Sequence, residues 1–516
     1  MNRKIVLMIT LLLLAPMVAI CTWPASAQEE ILKIGVLVPY NLPQGHASLG
    51  GAEGGALLAA REINATGGIN IGGTKYKIRL YIEDECALPL DEGKAYNNTK
   101  KLLELGCKFI IGGFRTETTW KIIEAIEDWN EGLPDEEKVI YLINGASTDQ
   151  LCSETVGLDY EGFKWLFRIN PINSTMLFRN VLGFLQGYLI PKKLAPLYGG
   201  NVKFGYIMEK LQWTEGIAWW LENYGLGPNA TFTYGIRPSA GTTNFVPYLE
   251  DLNNTGARLL FIAYTLDDAK YLIMQWRQYN YPFVIVGIDV FSQTSLWPIW
   301  TGGACEYEAT LDFSGTRTPI TPLAVKFWDN FVGNFSLPPP NPPAWPIYTA
   351  WGAYNAFLVI KKALETAGTL NSATIIEVLE GQETALLNGK GKFTTIHDVY
   401  TLSYGPIWPD GYTRAMMAQW VKKEDGSLVK EVVSPIDQLY SRKMKIPPWI
   451  YELADWDLNF DGVIDIRDVS AAGRAFGATP GTLRWNIEAD INLDSVVDIR
   501  DISAIGRKFG RSGKPK

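Results

Sequence analysis

The chain runs to 516 residues, more than one ordinary domain accommodates, so two or three domains are expected. Hydrophobic residues make up 47% and charged residues 20%, a balance that builds packed cores and excludes a largely disordered chain. The net charge of -8 argues against a nucleic-acid binder, which needs a basic face.

Residues 1–27 read as a targeting segment. Arg3 and Lys4 give a basic start, Ile5 to Ile20 an apolar run, and Ala25-Ser26-Ala27 a small-residue cleavage site. The mature chain is expected to begin near Gln28 and to work outside the cell or on its surface. A lipoprotein reading at Cys21 is disfavoured because bulky Ile20 precedes it. No later apolar run is long enough to span a bilayer. Cys86, Cys107, Cys152 and Cys305 remain after cleavage, which in an exported chain allows two disulfides with three connectivities open. Sequons at Asn64, Asn97, Asn173, Asn229, Asn253 and Asn334 suggest a glycosylated outer surface.

From Ile31 strands and helices alternate. Ile34–Val38 and Tyr76–Glu83 have the apolar patterning of strands, and Ala52–Asn64 and Asp91–Leu105 the spacing of helices. Phe109-Ile110-Ile111 is a short buried-strand run that stops at Gly112-Gly113. After Phe114-Arg115-Thr116-Glu117-Thr118-Thr119 a helical period opens at Trp120. Strand, loop and helix start in that order place free N–H groups and hydroxyls at the carboxyl edge of a parallel sheet, where open α/β sheets bind ligands. Val139–Ile143 adds a further strand. The alternation then restarts, with strands at Val202–Met208, Thr231–Ile236, Leu259–Tyr264 and Val284–Ile288 and helices at Thr214–Asn223, Phe245–Leu252 and Asp267–Tyr279. Two successive α/β sets predict two lobes and a cleft. Thr310–Phe313 is expected to cross back to lobe 1, where Ala324–Phe331 and Tyr348–Thr366 look helical, and residues near Phe393 to return to lobe 2. The run from Pro338 to Pro343 reads as a stiff loop.

Lys445-Ile446-Pro447-Pro448-Trp449 marks a boundary. Beyond it Asp457–Asp468 is echoed by Asp490–Asp501, and each copy continues into a matching helical run, Val469–Gly477 and Ile502–Gly510. Oxygen ligands at loop positions 1, 3, 5, 9 and 12, with a carbonyl at 7, suit a hard cation. The first copy supplies Asp457, Asn459, Asp461, the Val463 carbonyl, Asp465 and Asp468. The second supplies Asp490, Asn492, Asp494, the Val496 carbonyl, Asp498 and Asp501. Position 6 requires positive φ, free for Gly462 and strained by roughly 1–2 kcal/mol for Ser495. With Asp at position 12 and a helix only after each loop, the pair resembles a dockerin module. That resemblance implies a small all-α domain over residues 452–516, two Ca2+ ions, and a cohesin-like partner. Ile466-Arg467 and Ile499-Arg500 stand at the partner-reading positions, in place of the Ser-Thr pair common in cellulosomal dockerins.

The segments Lys33-Ile34-Gly35-Val36-Leu37-Val38, Ala59–Ile69, Asp84-Glu85-Cys86 and the Gly112–Thr119 loop resemble the type I extracellular solute-binding proteins of branched-chain amino acid ABC transporters. The resemblance implies a two-lobed α/β fold like that of periplasmic binding proteins, each lobe a parallel sheet with helices on both faces. Lobe 1 is expected over about 31–168 and 313–390, lobe 2 over about 169–312 and 391–440, and a linker over 446–451. It implies a small-molecule solute, an apolar amino acid foremost, handed to ABC permease subunits. It also implies roles for residues: Arg115, Thr116 and Thr118 at the solute carboxylate, Ala146, Ser147 and Thr148 beside it, Trp213 as a lid, Asp289 at the ammonium, and Tyr264 or Leu266 on the remaining wall. Two other uses stand beside transport: ligand sensing on the same fold, and polysaccharide degradation, common among dockerin-bearing proteins. Against an enzyme, the only histidines, His46 and His397, lie in no catalytic motif, and no Gly-x-Ser-x-Gly elbow occurs.

Overall fold

A computed structural model describes residues 30–39, 51–87, 90–313, 317–335, 342–399, 415–423, 425–434 and 442–515. The expected targeting segment, His46 and Pro338–Asn341 lie outside the described residues.

Lobe 1 opens with β1 (Glu30–Val38), α1 (Ala52–Ala65), β2 (Ile69–Ile71), β3 (Thr74–Asp84) and α2 (Glu92–Glu104). It continues through β4 (Phe109–Gly112), α3 (Thr116–Asn130), β5 (Ile140–Ile143) and β6 (Leu166–Arg168). The sheet order is β2-β3-β1-β4-β5-β6, parallel except for the β2 edge, which pairs antiparallel with β3. Every residue of β4 and β5 is buried, as strands covered on both faces must be, and this is why their sequences run apolar without alternation.

Lobe 2 begins with α4 (Ser174–Phe184), capped by the Asn173 side chain. The helix runs on in a wider π-type coil over Leu185–Leu194 that accommodates Pro191, whose ring and missing N–H a tight α-helix excludes. Then come β7 (Val202–Met208), α5 (Glu215–Tyr224), β8 (Ala230–Ile236), α6 (Val246–Asn254), β9 (Leu259–Tyr264), α7 (Ala269–Tyr279), β10 (Val284–Asp289) and β11 (Ala309–Asp312). Contrary to expectation, β11 stays in lobe 2, because it pairs parallel with β10.

The chain then returns to lobe 1 with α8 (Pro322–Asn334), α9 (Tyr348–Ala367), α10 (Ser372–Gly381) and the hairpin β12 (Thr384–Leu386) and β13 (Gly389–Gly391). Helix α9 lies against α1 so closely that a Cβ on Gly55 would overlap the Ala350 carbonyl. Residues 391–399 also stay with lobe 1: Phe393 packs on Phe167, and Asp398 pairs with the fully buried Arg168 at 3.1 Å. Lobe 2 is completed by β14 (Met416–Lys422) and β15 (Leu428–Ser434), giving the order β15-β14-β11-β10-β9-β7-β8.

The expected linker is not a free spacer. Trp449 packs edge-on against Trp276 and Tyr307 and lies under the Arg277 guanidinium, and Ile450 and Tyr451 are buried. The C-terminal module follows, with α11 (Ile466–Arg474) and α12 (Ile499–Gly506) packed together. It rests on lobe 2 through Glu488, which accepts from Tyr188 Oη and, at 2.7 Å, from the buried Lys193 ammonium. That ammonium also lies 4.5 Å above the Phe460 ring.

The four cysteines among the described residues are buried free thiols. The two disulfides that the sequence allows are not formed among these four residues, whose sites are dispersed: Cys86 after β3, Cys107 before β4, Cys152 in a short helix after β5, and Cys305 ahead of β11. Two sequons are structural. Asn64 bonds both ways with the Ile78 backbone, and buried Asn173 caps α4 and reaches Asp398, so their amides are committed inside the fold.

Candidate functional site

The carboxyl ends of both sheets face one cleft. A small cavity there is lined from lobe 1 by Ser147 and Tyr348 and from lobe 2 by Trp213, Thr265, Gln293 and Phe313, with Ile172, Leu177, Ile288, Val290 and Leu311 completing an apolar wall. Its volume is about 20 Å³, room for little more than a water molecule, so the lobes must part to admit a solute.

Bonds between the lobes hold this closed arrangement. The Gln212 amide donates to Gln150 at 2.8 Å and accepts from Trp120 Nε1 at 3.4 Å. The Tyr348 N–H donates across to Gln293 at 3.1 Å, while within lobe 1 the Tyr348 hydroxyl donates to the Gly145 carbonyl at 3.1 Å.

The loop after β4 turns at Gly113, whose φ is 88°, so that its N–H groups converge. They converge on Glu85, which accepts from Gly113 at 3.0 Å, from Phe114 at 2.8 and 2.9 Å, and from Arg115 at 3.4 Å. Lobe 2 repeats the device at the loop after β9. Glu209 accepts from the N–H groups of Thr265 at 2.8 Å and Leu266 at 3.0 Å, and from the Thr265 hydroxyl and Trp213 Nε1, both at 2.6 Å. Burial pushes Glu85 up to about 8 and Glu209 up to about 7, against the opposing pull of these donors. Neither acid was singled out as a site residue in the sequence. The legible hint was position, each following a strand at the carboxyl edge of its sheet.

Of the residues expected to bind solute, Ser147 and Trp213 line the cavity. Arg115 turns aside, donating to the Ala87 carbonyl at 2.9 Å, with Nε 3.6 Å from Glu117. Thr118 donates its hydroxyl back to the Arg115 carbonyl, while the buried Thr116 hydroxyl has no partner among the described residues. Ala146 N donates to the Gly113 carbonyl, and Thr148 donates to Gln150. Tyr264 is buried against Phe245. Asp289 is fully buried rather than lining the cavity: one oxygen accepts from Phe291 and Ser292, and its carboxyl sits beside that of Glu308. The expected ammonium partner is therefore part of an interior acid pair. His397 is likewise a core residue, stacked on Phe167 and bonded to the Leu166 carbonyl.

The two C-terminal loops share one conformation. In the first, Asp457 accepts from the N–H groups of Asp461 and Gly462, and Asp468 from those of Leu458 and Asp465. In the second, Asp490 and Asp501 accept from Asp494, Ser495, Ile491 and Asp498. Position 6 is left-handed in both, φ 91° at Gly462 and 70° at Ser495. Asn459 and Asn492 bond to Asp461 and Asp494, and the Val463 and Val496 N–H groups donate to the same two carboxylates. Arg467 lies on Asp461 and Asp465, and Arg500 on Asp494 and Asp498. Among the described residues no three His, Cys, Asp or Glu side chains converge as a ready-made metal cage. The all-oxygen donor set suits Ca2+ in kind, and two carboxylates of each loop are held by arginine instead.

No described helix is long and apolar enough to cross a membrane. Comparison with curated protein sequences finds no match. Solved structures share the two-lobed fold. A leucine-, isoleucine-, valine-, threonine- and alanine-binding protein from Brucella ovis is 15% identical with a TM-score of 0.60, covering 78% of this chain and 94% of its own. The branched-chain amino acid transporter protein LivJ from Streptococcus pneumoniae, in complex with isoleucine, is 18% identical with a TM-score of 0.58, covering 79% and 100%. An ABC transporter solute-binding protein from R. palustris, in complex with benzoate, is 13% identical with a TM-score of 0.58, covering 78% and 95%. The periplasmic binding protein family profile matches residues 31–404, most of the chain, and the chain belongs to that family.

Proposed function

We propose that this chain is the extracellular solute-receiving component of an ABC importer, closing its lobes on a small and largely apolar molecule. The size class is that of a branched-chain amino acid, a small aromatic acid or a neutral counterpart of either. The observation that carries this reading is the cavity shared by the lobes, with Ser147 and Tyr348 on one side and Trp213 and Phe313 on the other. Structural relatives bound to isoleucine and to benzoate support it. The C-terminal module is proposed to bind Ca2+ in its two loops and to dock the binder on a cohesin-like partner. Support comes from the shared loop conformation and the oxygen donors. Calcium would draw on Asp461, Asp465, Asp494 and Asp498, from which Arg467 and Arg500 must swing away.

A thermal-stability screen of the full chain against apolar amino acids, small aromatic acids and their amides tests the cleft. A ligand at 100 times its Kd stabilises by about 2.7 kcal/mol, and scattering should show the lobes closing on it. A panel in which nothing stabilises the chain would count against the reading.

A further inference from the structure

We infer that Glu85 and Glu209 make the cleft selective for solutes whose polar end is uncharged, an amide or alcohol rather than a carboxylate. This rests on the solute-binding reading above and names the chemistry of the same site.

Backbone N–H groups at the carboxyl edges of the two sheets are the natural anchors for an anion entering the cleft. Here both sets already hold a carboxyl group of the chain itself. Glu85 takes Gly113, Phe114 and Arg115, and Glu209 takes Thr265 and Leu266. Glu209 also takes the two polar hydrogens that the lobe 2 wall would otherwise offer, since Trp213 Nε1 and the Thr265 hydroxyl both point at it. Both residues line the cavity, so Glu209 stands directly behind its wall. From the opposite lobe Tyr348, also a lining residue, lies within the electrostatic reach of both acids.

A carboxylate entering this space would lose its water and find few donors. If either internal acid were ionised, it would also meet a like charge. An amide or hydroxyl carries no such penalty. Ser147 lines the cavity and supplies a hydroxyl of matching, neutral character, beside a Gln293 carboxamide that already accepts from the Tyr348 N–H and donates to the Leu311 carbonyl. The remaining wall is aliphatic and aromatic, which suits the rest of such a molecule.

The test is calorimetry on the full-length protein with matched pairs, 4-methylpentanamide against 4-methylpentanoate and benzamide against benzoate. The amides are expected to bind about ten-fold or more tightly than the acids, the loss from one missing charge-assisted hydrogen bond. Glu209→Gln and Glu85→Gln should narrow that gap by improving the acids. A glutamine accepts through one oxygen only, releasing N–H donors and adding one of its own. Acids binding the wild-type protein as tightly as the amides would overturn the inference and leave the solute-binding reading standing. Failure of both pairs and of every amino acid to bind would remove that reading and the inference with it. The wild-type comparison needs no variant to fold.

Discussion

Glu308 and Asp289 lie side by side in the interior of lobe 2, both fully buried. Trp297 Nε1 donates to one Glu308 oxygen at 2.7 Å, and the Phe291 and Ser292 N–H groups to one Asp289 oxygen, which leaves the other two oxygens to share a proton. Burial holds Glu308 up to about 7 and Asp289 well above the usual carboxylate range; Glu308 raises Asp289 further, while the hydrogen bond with Asp289 eases the rise of Glu308. A carboxyl raised in the folded state binds its proton more tightly there than in the unfolded chain. The stability it contributes is complete below its ordinary value of 4.5 and is lost as pH rises through about 7. Glu209, at about 7, and Glu85, at about 8, act in the same direction. The melting temperature is therefore expected to fall steadily from pH 6 to pH 9, and Glu308→Gln, which keeps a hydrogen-bonding partner for Asp289 without an ionisable proton, should flatten part of that slope. A melting temperature that rises over this range, or a slope unchanged in the variant, would rule the shared proton out.

At the scale of elements, one short segment carries part of the closure. Gln212 and Trp213 fall between β7 and α5 and project toward lobe 1, where Gln212 bonds both to Gln150 and to Trp120 at the start of α3. Gln212→Ala removes both links. At about 0.5–1.5 kcal/mol per hydrogen bond the closed arrangement should lose roughly 1–2 kcal/mol, and solute affinity about ten-fold. Scattering should show a larger radius of gyration for the free variant, while an unchanged radius and affinity would show that Gln212 does not latch the lobes. The strands around this site were largely legible, because buried parallel strands such as Phe109–Gly112 and Leu259–Tyr264 are apolar runs of the right length. The crossings between lobes were not. Whether Ala309–Asp312 continues one sheet or opens another is decided by pairing with Val284–Asp289, a long-range contact that local pattern does not encode. The same holds for the site: the family resemblance points to Trp213, which lines the cavity, whereas Asp289 read as a free carboxylate because its neighbour Glu308 arrives from a separate segment. The strand patterning of Met416–Lys422 and Leu428–Ser434 is mild and short-range for the same reason, since antiparallel pairing beside β11 is what makes those residues strands.

For the whole molecule the seating of the C-terminal module would decide, under the proposed docking, which part is anchored and which part moves. Besides Glu488, the module meets lobe 2 through its first loop. Phe460, at position 4 of that loop, is buried under the Lys193 ammonium, and the Tyr451 hydroxyl bonds to Asp457 at position 1. Its counterpart in the second loop, Leu493, has the same left-handed backbone, φ 60° against 55° at Phe460, without that cation above it. A partner that holds the module therefore holds lobe 2, and lobe 1 is left to open and close. Calcium in the first loop would stiffen the residues that clasp Lys193, so its effect should reach the Leu185–Leu194 coil of lobe 2. Calcium in the second loop should act within the module alone. Hydrogen exchange on the full-length chain, with calcium and then with chelator, is expected to slow at both loops when calcium is present and to slow also over Leu185–Leu194. Asp457→Ala should abolish the protection at Leu185–Leu194, whereas Asp490→Ala should leave it while weakening the second loop, already strained by Ser495. Exchange indifferent to calcium throughout would remove the metal from the module. Equal effects of the two substitutions on Leu185–Leu194 would show instead that the seam is held by the Lys193–Glu488 pair, independent of the first loop.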